Sequence, residues 1–203
     1  MNNLRGICTP TCSVFTNGGI TIDENAQRKH IDTLLESRIH IIAAAGGTGE
    51  FAFLTQIERK QILEIVAKHA YGLSKIIAHV SAVRTEEVIE YAKHAEDLGV
   101  DALLVLPPYF EGPTLEGVFE HYERIAMSVS TPIMAYNIPL HSGIDLTPSF
   151  CKRLMQLPNM QYLKDSTGDY IRFQDLLQSN ISVFVGGEPI MFPAILDGAT
   201  GCF

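Results

Sequence analysis

The sequence predicts an α/β protein folded as a (β/α)8 TIM barrel, and three observations support this. Short apolar runs alternate with amphipathic segments of about ten to seventeen residues along the whole chain. There are eight such runs, and capping residues begin several of the segments between them. Strict alternation with right-handed crossovers closes most simply into a barrel. An open doubly wound sheet is the main alternative, but no G-x-G-x-x-G motif follows the first run.

The eight apolar runs are the predicted strands. They lie near residues 6–11, 39–44, 75–79, 102–106, 133–136, 161–164, 181–185 and 200–203. The last run ends the sequence, so no eighth helix follows it. We therefore expect residues 1–203 to form a single barrel domain that is incomplete at its C-terminus, with its last helices beyond residue 203.

Helix signals fall between the runs. Two segments match the capping box, Thr21-Ile-Asp-Glu24 and Thr55-Gln-Ile-Glu58, and Thr147 stands before a proline at a first helical position. Gly72 and Gly99 are predicted at the C′ positions of the second and third helices, each ahead of the next strand. These signals place helix ends where the alternation of runs requires them.

Composition narrows the classes of function. With 46% hydrophobic and 19% charged residues, the 203-residue chain is globular and long enough for one sizeable core. Its net charge is −8 and no Lys/Arg stripe is present, so neither nucleic acid nor an anionic membrane is an expected partner. No run is long enough to cross a bilayer, and we expect a cytoplasmic protein. Four cysteines, at positions 8, 12, 151 and 202, lack metal-ligand spacing and are expected to be reduced, with no metal bound.

Lys164 is the most informative residue, because it ends the sixth apolar run just before a polar stretch. In a barrel the chemistry collects at the C-terminal ends of the strands. Apolar surroundings there would lower the pKa of the amine and leave more of the free base that attacks carbonyls, as a Schiff-base lysine requires. The alternative is a lysine whose amine reaches out from the strand end into water.

Two other predicted strand ends carry groups that suit the same chemistry. The loop Gly46-Gly-Thr-Gly-Glu50 can point successive backbone N–H groups at a carboxylate or phosphate, or it can be a plain strand-to-helix connection. Tyr136 ends the fifth run and can pass a proton beside a lysine, or it can be a buried ring with a satisfied hydroxyl. An amine, a phenol and an N–H nest are the parts needed to capture a 2-oxo acid.

These motifs together resemble one family. The G-x-T-G-E loop, Tyr136-Asn-Ile-Pro139 and Tyr162-Leu-Lys-Asp-Ser166 occur in the order found in the dihydrodipicolinate synthase and N-acetylneuraminate lyase superfamily of class I, Schiff-base aldolases. The resemblance covers essentially all 203 residues. It implies that Lys164 forms an imine with pyruvate or with the pyruvate part of a 2-oxo acid, and that Tyr136 relays protons.

The resemblance also implies the rest of the site. Gly47 and Thr48 would hold the substrate carboxylate, and Gly186 and Glu188 would line the site after strand seven, where Glu188 can accept hydrogen bonds from a sugar-like chain. The protonated imine acts as the electron sink, so no metal or other cofactor is expected. The family usually forms homotetramers, and the implied ligands are pyruvate and an aldehyde.

Three positions depart from dihydrodipicolinate synthases proper. Gly47, Phe110 and His141 stand where those enzymes usually have threonine, tyrosine and arginine, so two hydroxyls and one cation are missing. His141 could donate a proton, bind a carboxylate when charged, or be a surface loop residue. Glu188 favours a polyol tail on the substrate, whereas Phe110 leaves room for an apolar or aromatic aldehyde.

The expected function is a pyruvate-dependent class I aldolase or lyase. Its expected substrate is a 2-keto-3-deoxy sugar acid or a related hydroxylated 2-oxo acid. Three alternatives stay open: dihydrodipicolinate synthase proper, a dehydratase that uses the same imine, and a non-catalytic ligand-binding relative.

Overall fold

The computed structural model describes residues 4–16 and 18–203, and within them eight parallel strands form a closed barrel. Each strand pairs with the next, and the eighth pairs with the first, which confirms the predicted (β/α)8 fold. The strands are β1 Gly6–Pro10, β2 Ile41–Ala44, β3 Lys75–His79, β4 Ala102–Val105, β5 Ile133–Asn137, β6 Met160–Asp165, β7 Ser182–Val185 and β8 Gly201–Cys202. All eight fall on the predicted apolar runs, with shifts of one or two residues at their ends.

Helices occupy the connections between the strands. They are α1 Glu24–Glu36, α2 Gln56–His69, α3 Thr85–Asp97, α4 Leu115–Ala126, α5 Pro139–Ser142, α6 Pro148–Leu154, α7 Tyr170–Gln178 and α8 Glu188–Leu196, with a 3-10 helix at Phe51–Phe53. Both α5 and α6 lie between β5 and β6. Within the described residues, no helix is long and apolar enough to cross a membrane.

The capping box at Thr55 is confirmed, since its side chain accepts from Glu58 N–H and the Glu58 carboxylate accepts from Thr55 N–H. The box predicted at Thr21 is wrong. Helix α1 begins at Glu24 with Asp23 as its N-cap, because the Asp23 carboxylate accepts the N–H of Ala26. The hydroxyl of Thr21 instead bonds that of Thr16 across a short antiparallel bridge.

The other helix-end predictions divide in the same way. Thr147 caps α6 by accepting the N–H of Phe150, and Gly99 directly follows the C-cap of α3 with a φ of 72°. Gly72 lies one residue further out than predicted, because α2 has its C-cap at Ala70. Its φ of 71° still supplies the left-handed turn that leads toward β3.

Strand alternation divides the core into a lumen inside the barrel and a layer between strands and helices. On β6, Tyr162 packs in the lumen cluster and Leu163 packs outward against the helix layer. Lys164, the next residue, therefore faces the lumen again, near its C-terminal end. This alternation brings the side chains of the candidate site together.

Candidate active site

Lys164 and Tyr136 lie side by side on β6 and β5, where they are paired in register. The Lys164 Nζ atom is 4.2 Å from the centroid of the Tyr136 ring and 3.8 Å from that of Phe203. Burial lowers the pKa of Lys164 from its usual value to about 8. About a tenth of such an amine is free base at pH 7, which is far more than for an ordinary lysine.

The Ser166 hydroxyl is a hydrogen-bond partner of the Tyr136 phenol. Sequence reasoning did not single out Ser166. Burial raises the pKa of Tyr136, and a hydrogen bond with the Ser166 side chain opposes that rise. Ser166 follows Lys164 by two positions, so strand alternation directs both side chains to the same face. That spacing was readable in the sequence.

The glycine loop after β2 exposes Gly47 and Thr48 while burying Gly46 and Gly49. Its left-handed residues are Ala45 and Glu50, with φ of 54° and 58°, so the glycines are not needed for positive φ. In the described part of the chain, no hydrogen bond is donated by the N–H groups of residues 47–49. These donors are thus available to an anion, as the nest hypothesis requires.

Two of these glycines differ in the space around them. A Cβ on Gly49 would lie 3.0 Å from the carbonyl oxygen of Thr11, so a side chain there would require the neighbouring backbone to shift. A Cβ on Gly47 would have no neighbour within 4 Å. Gly47 therefore faces open space, which a ligand can enter.

A cavity of about 530 Å³ opens beside Tyr136. Its walls are mainly apolar, with His141 and Ser142 as polar groups in addition to the Tyr136 and Tyr109 phenols. The lining residues are Gly47, Phe51, Ala52, Phe53, Leu106, Tyr109, Tyr136, Ile138, His141 and Ser142. The structure thus brings three of the sequence-predicted residues, Gly47, Tyr136 and His141, to one cavity.

Five other sequence-predicted residues lie outside this cavity lining, namely Lys164, Thr48, Phe110, Glu188 and Gly186. Phe110 has a φ of 96° and an 84% exposed side chain, and its neighbour Tyr109 lines the cavity instead. Glu188 is exposed as the first residue of α8. Gly186 is closer to the lysine, since a Cβ on it would lie 3.1 Å from the Lys164 Cε atom. The binding roles assigned to these residues stay predictions.

His79 is a buried lumen residue that sequence reasoning also missed. Its Nε2 atom is 3.1 Å from the Ser81 hydroxyl, and its ring centroid is 4.3 Å from that of Phe51 in the cavity wall. Burial, together with the positive charges of Arg59 and Lys164, holds its pKa well below the usual range, so the imidazole is neutral. Arg59 donates to the backbone carbonyls of His79 and Ser81. The signal was present, because a histidine closes the apolar run at 75–79.

The residues that follow Tyr136 and Lys164 are tied to one another. Arg172 donates from Nε to Asp165 at 2.9 Å and from Nη1 to Asp145 at 3.0 Å, and its Nη2 bonds the Leu146 carbonyl. The Asn137 amide donates to Asp145 at 3.2 Å. Side chains of Arg172 and Asp165 are 12% and 6% exposed, so this ion pair is largely shielded from water. The network holds the ends of β5 and β6 together.

Metal ligands are not gathered in the described ranges, where no group of three or more His, Cys, Asp or Glu side chains could hold an ion. The four cysteines are free.

The family model for the dihydrodipicolinate synthetase family matches residues 3–203. The chain belongs to this family. The resemblance inferred from the motifs is therefore confirmed, and with it the enzyme class: the family comprises pyruvate-dependent carbon–carbon lyases that form a Schiff base. Substrate and site roles within the class are a separate question.

Two relatives of this chain carry the same name. A 4-hydroxy-tetrahydrodipicolinate synthase from a Sulfurovum species is 37% identical over 206 residues, covering 99% of this chain and 69% of that protein. The synthase of the same name from a Nitratiruptor species is 33% identical, with 99% and 69% covered.

Solved structures show the same fold. The chloride-inhibited dihydrodipicolinate synthase from Acinetobacter baumannii, complexed with pyruvate, superposes with a TM-score of 0.92 at 33% identity, covering 99% of this chain and 69% of that one. A prophage protein of the dihydrodipicolinic acid synthase family from E. coli K12, also in complex with pyruvate, gives 0.93 at 27% identity, with 98% and 69% covered.

Proposed function

We propose that this protein is a pyruvate-dependent class I aldolase or lyase in which Lys164 forms the imine. Its proposed substrate is a 2-keto-3-deoxy sugar acid or a related hydroxylated 2-oxo acid. The observation that carries the proposal is the partly buried amine of Lys164, with a pKa lowered to about 8 and a phenol ring 4.2 Å away. Pyruvate is the proposed 2-oxo acid, and its presence in the Acinetobacter and E. coli structures supports this.

The proposed reaction uses each group at a stated step. The free amine of Lys164 adds to the C2 carbonyl, and the resulting hydroxyl leaves as water with a proton from the Tyr136 phenol. The phenolate then takes the proton of the C4 hydroxyl while the electrons of the C3–C4 bond move to the iminium nitrogen, so that an enamine and an aldehyde form. Protonation of the enamine at C3 and hydrolysis of the imine release pyruvate. The N–H groups of residues 47–49 would hold the substrate carboxylate.

The cavity beside Tyr136 is the proposed place for the aldehyde part of the substrate. Its polar groups, His141 and Ser142, can bond a hydroxyl, while Phe51, Leu106 and Ile138 favour an apolar portion. The exposed position of Glu188 gives the polyol prediction less support than the sequence alone suggested.

The second candidate is 4-hydroxy-tetrahydrodipicolinate synthase itself, which the names of the Sulfurovum and Nitratiruptor relatives favour. Against it stand Gly47, Phe110 and His141, which remove two hydroxyls and a cation that the resemblance leads one to expect. The homotetramer that the resemblance implies and the cytoplasmic location expected from the apolar runs of the sequence stay predictions.

Borohydride trapping tests the imine. After incubation with pyruvate and borohydride, we expect the mass of the intact protein to rise by one reduced pyruvate adduct, and Lys164→Ala to abolish that rise. Lys152→Ala, which removes an exposed lysine on α6, is the matched control and should trap like the parent. An adduct that persists in Lys164→Ala would place the imine on another residue.

A panel of 2-keto-3-deoxy acids separates the candidate reactions. Release of pyruvate and an aldehyde identifies aldol cleavage, whereas loss of water without carbon–carbon cleavage identifies the dehydratase. Condensation of pyruvate with aspartate semialdehyde would identify the synthase. A protein that traps pyruvate yet turns over none of these substrates would support the ligand-binding alternative.

A further inference from the structure

Ser166 lies just beyond the end of β6 and continues its alternation. Tyr162 and Lys164 face the lumen, and Ser166 is the next residue on that face. Its backbone N–H donates to the carbonyl of Asn137 at 2.9 Å, so the pairing of β6 with β5 extends one residue past the strand. This pairing directs the Ser166 hydroxyl to the same side as the Lys164 amine.

Gly186 shows how close these two side chains come. A Cβ on Gly186 would overlap the Ser166 hydroxyl and would lie 3.1 Å from the Lys164 Cε atom. The hydroxyl therefore occupies the space that the missing side chain of Gly186 leaves open, directly beside the lysine. The same hydroxyl bonds the phenol of Tyr136, so Ser166 contacts one of the two groups that the proposed reaction needs and lies near the other.

The loop that carries Ser166 is held on both sides. The Asp165 carboxylate accepts the backbone N–H of Thr167 at 2.8 Å and its hydroxyl at 2.6 Å, and Arg172 pairs with the other oxygen of Asp165. Hydrogen bonds thus restrain the chain on both sides of Ser166, at Asp165 and at Thr167. Such restraint is what a hydroxyl needs in order to be pre-organised for proton transfer.

We propose that Ser166 is a further catalytic residue, whose hydroxyl relays protons between the Tyr136 phenol and the cavity side of the imine-bound substrate. The proposal rests on the proposed function, since it needs the Lys164 imine. Gly47, which lines the cavity with Tyr136, carries no hydroxyl that could do this work. Ser166 ends the motif Tyr162-Leu-Lys-Asp-Ser166, but the family resemblance was not used to assign it a role.

The proton transfer balances in the direction of carbon–carbon bond formation. The enamine C3 forms a bond to the aldehyde carbon, and the π pair of the aldehyde moves to its oxygen. That oxygen takes the Ser166 proton while Ser166 takes the Tyr136 proton, which leaves a hydroxylated iminium and a phenolate. In cleavage the same protons run backward, so the phenolate is the final base.

Exchange of the methyl protons of pyruvate in D2O measures this relay without an aldehyde. The imine must lose a C3 proton to Tyr136, and that proton must then leave toward solvent through Ser166. We expect Ser166→Ala to slow exchange about tenfold, the worth of one hydrogen bond in the transfer. We also expect the acid limb of its pH profile to move up by about one unit, because the bond that stabilises the phenolate is lost.

Three further variants make the test specific. Ser166→Thr keeps a hydroxyl and should restore both the exchange rate and the parent position of the acid limb of its pH profile. Gly186→Ala should displace the Ser166 hydroxyl and shift the acid limb as Ser166→Ala does. Ser179→Ala removes a partly exposed hydroxyl at the end of α7, which donates to the Asp175 carbonyl, and should match the parent.

Borohydride trapping in the parent and in each variant is measured first, because it tests the imine independently of the relay. With trapping intact, an unchanged rate and limb in Ser166→Ala would overturn the proposal. The proposal would also be overturned if Ser166→Ala slowed exchange, Ser166→Thr failed to restore the rate, and the acid limb of the pH profile did not move. Ser166 would then have a structural role.

Discussion

The two ends of the barrel lumen differ in chemistry although they belong to one continuous interior. One part is a buried cluster of lumen side chains that are almost all apolar, namely Leu4, Cys8, Ile41, Ala43, Ile77, Ala102, Leu104, Met134, Tyr162 and Phe184. The C-terminal part holds an amine, a phenol and a neutral imidazole, from Lys164, Tyr136 and His79. We call these parts the floor and the upper lumen.

The comparison teaches that the floor makes the chemistry of the upper lumen possible. Burial is the main cause of the lowered pKa of Lys164. The floor supplies apolar contact without a carboxylate that would stabilise the ammonium form, and its one phenol, Tyr162, accepts a hydrogen bond from Leu4 N–H. The reactivity of Lys164 therefore depends on the packing of the floor, and two predictions test how strongly.

The largest expected effect comes from opening the floor at Phe184. This ring is fully buried, and its centroid lies 5.9 Å from that of Tyr162 and 6.0 Å from that of Phe203. We expect Phe184→Ala to lower the free energy of unfolding by about 3–5 kcal/mol, measured by urea denaturation. Because Phe203 also covers the Lys164 amine, water should then reach it and raise its pKa.

The pH dependence of pyruvate trapping measures how packing at Phe184 affects the pKa of Lys164. A higher pKa of Lys164 moves the rise of trapping with pH to higher pH. Phe184→Leu keeps most of the volume and is the control, with a smaller loss of stability and no such displacement. If Phe184→Ala unfolds more easily while trapping keeps its parent pH dependence, floor and upper lumen are independent.

A smaller effect is expected from removing the charge of Lys164. Its folded pKa of about 8 lies below its unfolded value, so below pH 8 the native protein carries a desolvated ammonium, and stability rises with pH between about 8 and 10.5. We expect Lys164→Met to be more stable than the parent by about 1–3 kcal/mol at pH 7. Urea denaturation at pH 7 and pH 10.5 should show the advantage shrinking at the higher pH. An advantage that is equal at both would mean that packing, not charge, produces it.

The smallest effect distinguishes packed from open parts of the glycine loop. Gly49→Ala should cost about 1–3 kcal/mol of stability, because its Cβ would press on the Thr11 carbonyl at 3.0 Å. Gly47→Ala is the matched control and should change stability by less than about 0.5 kcal/mol, since nothing lies within 4 Å. Thermal or urea denaturation of the two variants gives the comparison, and equal losses would contradict the assigned geometry.

Sequence reasoning was accurate where a local pattern carries the information. Short apolar runs identified all eight strands, and the capping box at Thr55 formed as predicted. The same kind of reasoning failed at Thr21, because Asp23 offers an equally good cap two residues later. Which of two nearby residues caps a helix depends on whether its side chain already bonds another part of the fold, as the Thr21 hydroxyl bonds that of Thr16.

Contacts between distant strands were beyond the reach of a single sequence. The position of His79 at a strand end and the two-residue spacing of Ser166 from Lys164 are visible in the sequence, but only barrel closure brings these residues and Arg59 beside the lysine or the cavity. The turn after β4 likewise decides that Tyr109, not Phe110, lines the cavity, because a φ of 96° at Phe110 turns its side chain outward. The sequence alone cannot tell which of two neighbouring aromatic residues lines the cavity, because that depends on this dihedral angle.

By itself the sequence determined the eight strand–helix units, the face on which chemistry collects, and the pairing of Lys164 with Tyr136 as amine and phenol. These depend on periodicity and on the rule that the strand ends of a barrel share one face. Tertiary structure decided between a buried Lys164 and one whose amine reaches into water, and burial lowers its pKa. It alone decided that the Ser166 hydroxyl bonds the Tyr136 phenol and that the cavity wall is mainly apolar. Burial and proximity are properties of the closed barrel, to which every strand contributes.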